Sequence, residues 1–165
     1  MESTNQEGPE DNSNKINLYK NPDYISLYRY ENPSVPYDTT REGNVSRKDW
    51  IGAWYCDSLA GLKAYAIQRM EGEKGGRFVV VRIKRSDLEK YDVAKLPEAA
   101  EMDFESGNYI IPDAIGQESR VEIDGLFKET WEGKKNIPMA DWQELENYIY
   151  QNLSDESLIS RLQKP

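Results

Sequence analysis

The stretch "IGAWYCDSLAGLKAYA", Ile51 to Ala66, decides how this chain is read. Its first half is strand-like, with Trp54 and Cys56 on one face and Ala53 and Tyr55 on the other. At Asp57 and Ser58 the pattern changes. Either residue suits a helix N-cap, because a short oxygen-bearing side chain can accept from the free amides of the first turn. Beyond them Leu59, Leu62, Ala66 and Met70 recur at helical spacing, Gly61 weakens the helix slightly, and "EGEKGG" (Glu71–Gly76) ends it. Aromatic surface crowded just ahead of a helix N-terminus is either plain core or the wall of a pocket for a flat ligand. Trp54 is expected in the core, since large aromatics are mostly buried. Alternation turns Tyr55 to the face opposite Trp54.

The segments on either side give an α+β chain. "YISLYRY" (Tyr24–Tyr30) predicts a strand, and "ENPSVPYDTTREGNVSRKD" (Glu31–Asp49) a long polar loop of the kind that is usually functional or mobile. "RFVVVRIKR" (Arg77–Arg85) has the β-branched centre of an interior strand. "SDLEKYDVAKL" (Ser86–Leu96) reads as one helical turn and a short strand, and "GNYIIPD" (Gly107–Asp113) and "SRVEIDGL" (Ser119–Leu126) as two more strands. Trp142, Leu145, Ile149 and Leu153 then fall at helical spacing, and Ser154 marks a break and a cap for a second helix. Residues 1–16, rich in Glu, Asn, Ser, Gly and Pro, are expected to be a disordered lead-in, leaving 17–165 as a single domain.

Composition removes whole classes of function. Thirty acidic against 21 basic residues give a net charge of −9, with no long basic run, which argues against a nucleic-acid-binding surface. No window reaches the ~20 apolar residues of a membrane span, and no apolar signal core opens the chain. The expectation is a soluble protein, cytoplasmic or exported without a classical signal peptide. Cys56 is the only cysteine, so no internal disulfide is expected, and no metal signature surrounds it. The chain has no histidine, which excludes Ser-His-Asp and Cys-His nucleophiles, a histidine base and His-ligated zinc. Acid–base chemistry would fall to Asp, Glu, Tyr or Lys.

The order of "LYRY" (Leu27–Tyr30), "GAWYCDSLAGLKAYA" (Gly52–Ala66), "VVVRI" (Val79–Ile83) and "NYIIP" (Asn108–Pro112) resembles the ADP-ribosyltransferase superfamily, enzymes that cleave the nicotinamide–ribose bond of NAD. The resemblance implies a small split or curved antiparallel sheet with a helix after the second strand and a C-terminal helical section. It implies NAD as substrate, no metal, and a protein target of unknown identity, as in a toxin or effector. Arg29 matches the arginine that orients the dinucleotide, and a planar guanidinium suits a phosphate or ribose hydroxyl. Tyr55 matches the aromatic that stacks on nicotinamide, with Tyr65 as a second wall and Gly52 at the pocket edge. Some arginine-type members carry serines on this strand; here Ser46, in the preceding loop, and Ser58 lie nearby.

The third family motif departs from the pattern. Where active members carry a glutamate that stabilises the charge developing on the ribose, this chain has Asn108. Asparagine can hydrogen-bond a hydroxyl but carries no charge, and a lost transition-state contact of this kind commonly costs on the order of 10²- to 10³-fold in rate. Glu105 is the nearest substitute, with Glu101 and Glu118 as further candidates. Two functional readings follow: an NAD-dependent mono-ADP-ribosyltransferase, or the same scaffold kept as a nucleotide- or protein-binding module. A third is an unrelated α+β protein.

Overall fold

The computed structural model describes residues 9–32, 45–47, 50–70, 75–90, 92–95, 107–112, 115–116, 119–123 and 139–164. The chain runs α1 (Pro9–Lys20), β1 (Tyr24–Glu31), β2 (Val45–Arg47), β3 (Trp50–Cys56), α2 (Leu59–Met70) and β4 (Arg77–Lys84). A 3₁₀ segment (Arg85–Lys90) leads to β5 (Asp92–Lys95), β6 (Gly107–Pro112), β7 (Val121–Ile123), α3 (Met139–Leu153) and α4 (Asp155–Gln163). The fold is α+β, as expected, with seven strands in one sheet ordered β5-β6-β3-β1-β4-β7 and β2 paired to β3. Every described pairing is antiparallel.

Local signals account for most boundaries. The Ser58 hydroxyl accepts from the Gly61 amide at 3.0 Å, capping α2 as expected. Ser154, in extended conformation, accepts from the Ser157 amide at 3.2 Å and so separates α3 from α4. Because the three-residue strand β2 lies inside the long polar segment after β1, helix α2 follows the third strand and not the second. Only three residues pair there, too few for periodicity to register.

The N-terminal segment corrects the expectation of disorder through residue 16: a helix runs from Pro9 to Lys20. Its sequence has little intrinsic helix preference. Tertiary contacts stabilise it, since Tyr19 is buried and α1 packs on α4 and β1. Arg82 then closes its C-terminal end. The buried guanidinium donates at 2.9 and 3.0 Å to the carbonyls of Leu18 and Tyr19, in the last turn that a helix leaves without intrahelical partners, and at 3.2 Å to that of Asn21 just beyond it. The same side chain reaches Ser26 Oγ and the Asp155 carboxylate, both at 3.0 Å. One arginine on β4 therefore joins α1, β1 and the first turn of α4.

The helices share one face of the sheet. Tyr28, Tyr30, Phe78, Val80 and Ile123 form a single core with Leu62 of α2, Leu145 and Ile149 of α3 and Leu158 of α4. The other face buries Leu27, Ala53, Tyr55, Val79, Val81 and Ile111, with Leu88 packed on it. Gly116, at φ 84°, approaches this second face so closely that an added Cβ would lie 2.9 Å from Val81 Cβ.

Replacing Arg82 with alanine should lower stability by about 3 kcal/mol, because it removes the donor to the buried Tyr19 residue's carbonyl and the ion-pair partner of Asp155 together with three further hydrogen bonds. Urea titration followed by circular dichroism measures this. Ser154→Ala, which removes only a cap, should cost about 1 kcal/mol in the same assay.

Candidate functional site

The sheet is continuous on one side of β3 and interrupted on the other. Along one edge β3 pairs with β6 from Gly52 to Cys56. Along the opposite edge β2 takes Trp50 to Gly52, and β1 takes only Cys56, opposite Tyr28. Between those contacts, at Ala53 to Tyr55, no strand pairs with this edge among the described residues. Arg29 bridges the interval instead: its Nη1 donates to the Trp54 carbonyl at 3.2 Å, while its Nε donates to Glu31 Oε2 at 3.3 Å. Both Arg29 and Glu31 are buried.

A cavity of about 280 Å³ opens at this interruption. Tyr28 and Arg29 line it from β1, Trp54, Tyr55 and Cys56 from β3, and Gly61, Leu62 and Tyr65 from α2. The walls are mainly apolar and aromatic, which suits a flat, uncharged or weakly cationic group. The Cys56 thiol donates to the Tyr28 carbonyl at 3.5 Å and contacts the Ser58 carbonyl at 3.6 Å, so it is held as part of the wall.

Both β3 aromatics reach the cavity, but Trp54 is the exposed one and Tyr55 is largely buried. Tyr55 is 7% exposed and packs with Leu27, Val79 and Val81 in the core on the far face. Trp54, expected in the core, is 36% exposed, and Tyr65 is 43% exposed. Alternation correctly separates Trp54 from Tyr55, but both faces of this sheet are covered, so it cannot say which face holds an opening. The interrupted edge leaves Trp54 uncovered.

The remaining predicted residues fall as follows. Gly52 lies between β2 and β6, opposite Val45 and Pro112, and Ser46 stands on β2 opposite Ile51. Asn108 pairs with Cys56, which pairs with Tyr28, so Asn108 stands in the same cross-strand row as two residues of the cavity wall. That row continues through Val80 to Val121, spanning the sheet. Glu105, Glu101, Glu118 and most of the Glu31–Asp49 loop lie outside the described residues. Sequence reasoning missed Glu31, the buried partner of Arg29; an acidic residue two positions along the same strand face was the available signal. Among the described residues, no group of three or more His, Cys, Asp or Glu is placed to hold a metal ion, and no helix is long and apolar enough to cross a membrane.

Comparisons with protein-family models, curated proteins and solved structures return no match for this chain.

Burial, with Asp155 adding to it, holds the phenols of Tyr19 and Tyr28 well above the usual tyrosine range. The neutral phenol is thus favoured by folding, and this contribution is complete below the unfolded value of about 10. Above it the unfolded chain releases protons that the native state keeps, so stability falls as pH rises. Thermal midpoints measured from pH 8 upward should decline beyond pH ~10. Tyr19→Phe should flatten that decline. At neutral pH the same change should be neutral or stabilising, since the buried Tyr19 hydroxyl finds no partner among the described residues.

Proposed function

We propose that this chain is an ADP-ribosyltransferase-like protein that binds NAD with its nicotinamide ring in the cavity between β1, β3 and α2. The observation that carries the reading is the meeting of Arg29, the aromatics of the Gly52–Cys56 strand and Tyr65 around one opening in the sheet. Arg29, Tyr55 and Tyr65 are the residues to which the resemblance gives that purpose, and they come from three separate elements. In this reading stacking falls to Trp54 and Tyr65, whose exposed faces attract a cationic pyridinium ring. Arg29 acts as a clamp that fixes the width of the opening through Glu31 and the Trp54 carbonyl.

Transfer would break the bond between the ribose anomeric carbon and the nicotinamide nitrogen, the electron pair leaving with nicotinamide. An acceptor on a protein target, or water, would supply the new pair at that carbon and lose its proton to solvent or a carboxylate. Asn108 favours a second reading, in which the chain binds the dinucleotide or a protein without turning NAD over, because the row position beside Cys56 carries an amide in place of a charge.

Incubation with NAD, followed by nicotinamide release and by calorimetric binding, separates the two readings. Binding should be saturable, and Trp54→Ala should weaken it roughly tenfold by removing the stacking face. Arg29→Ala should weaken it as well. Unchanged binding in both variants would overturn the site. Binding without release would select the binding module, and release gained by Asn108→Glu would identify the missing charge as the reason.

A further inference from the structure

A second cluster lies on the face of the sheet away from the helices, where the C-terminal end of β1 meets the start of β4. One carboxylate oxygen, Glu31 Oε1, accepts from Nη2 of both Arg77 and Arg120, at 2.6 and 2.7 Å. Arg77 Nε donates to the same atom at 2.9 Å, and Arg29 holds the other Glu31 oxygen. Glu122 accepts from Arg120 Nε at 2.7 Å and lies 3.4 Å from Arg77 Nη2. These five side chains, three arginines and two glutamates, carry one net positive charge.

The arrangement is more than a neutral ion-pair network. Glu31 is almost wholly buried and fixes two guanidinium planes at a common point, while Arg77 and Arg120 remain 20% and 19% exposed. Among the described residues, Nη1 of Arg77 and Nη1 of Arg120 donate to nothing. Burial acts to discharge Arg120, but the hydrogen bond to Glu122 and the charge of Glu31 outweigh it, so the group stays firmly cationic. Two forks already immobilised by a buried carboxylate lose little further freedom on meeting a ligand, and their geometry matches a tetrahedral oxyanion.

We propose that Arg77 and Arg120, held by Glu31, form a binding site for a phosphate-class oxyanion, separate from the aromatic cavity. Glu122, on the solvent side, competes with the anion for the same donors and limits its affinity. The ligand is free phosphate or the phosphoryl group of a nucleotide.

Calorimetric titration of the full chain with inorganic phosphate, pyrophosphate and AMP, at ionic strength balanced with chloride, tests this. Saturable binding of phosphate or pyrophosphate is expected, weakened roughly tenfold by Arg77→Gln or Arg120→Gln and tightened severalfold by Glu122→Gln. Trp54→Ala should leave it unchanged. AMP binding more tightly than phosphate would mark a nucleotide site, and equal affinity a site for the free anion. Heats that follow ionic strength alone, or an affinity indifferent to both the arginine and the Glu122 substitutions, would overturn the proposal. Loss of phosphate binding in Trp54→Ala would overturn its separateness from the cavity.

Discussion

Among the described residues, a single strand pair, Tyr28 with Cys56, joins the two halves of the sheet. On one side stand β2, β3, β5 and β6; on the other β1, β4 and β7. β1 is paired to β4 along all eight of its residues but meets β3 at this one position. An uninterrupted ladder would have left no cavity, since strands 4.7–4.9 Å apart admit nothing between them. The seam is therefore the condition for any site here, and Arg29 is what keeps it from being a defect. Its guanidinium supplies the Trp54 carbonyl with the donor that a neighbouring strand would have provided.

A buried arginine in such a place needs a counter-charge, because desolvation of an unpaired ion exceeds what one carbonyl returns. Glu31 meets that need, and in doing so gathers Arg77 and Arg120 as well. The two faces of the sheet thus have different chemistry for one structural reason. The helical face holds an aromatic cavity at the seam, while the opposite face concentrates charge beside it.

Much of the fold was legible because its signals are local. The caps at Ser58 and Ser154, the stripe through Leu62 and Ala66, and the β-branched centre of β4 each determine structure within a few residues. What stayed illegible depends on distant partners. Helix α1 exists because Arg82 and α4 hold it, and nothing in "PEDNSNKINLYK" announces either. The exposure of Trp54 has the same origin. Alternation assigns residues to faces, but exposure at Trp54 follows from where β1 and β2 stop pairing along β3. Arg29, Tyr55 and Tyr65, each named from the sequence, line one cavity, and Trp54, expected in the core, lines it with them.

Arg82 also imposes an order on synthesis. Its guanidinium binds carbonyls of α1, which precedes every described strand, and the Asp155 carboxylate, which follows them all. Contacts this far apart in sequence form late and slow the search for the native state. While the ribosome is still short of Asp155, α1 has neither α4 to pack on nor a completed cap, and its own sequence does not sustain a helix alone. The nascent chain can pair β1 with β4 early, yet the helical face stays open until α4 has been made. Its aromatic surface, Tyr19 and Tyr28 included, is the part of this protein most in need of shelter on the way out of the ribosome.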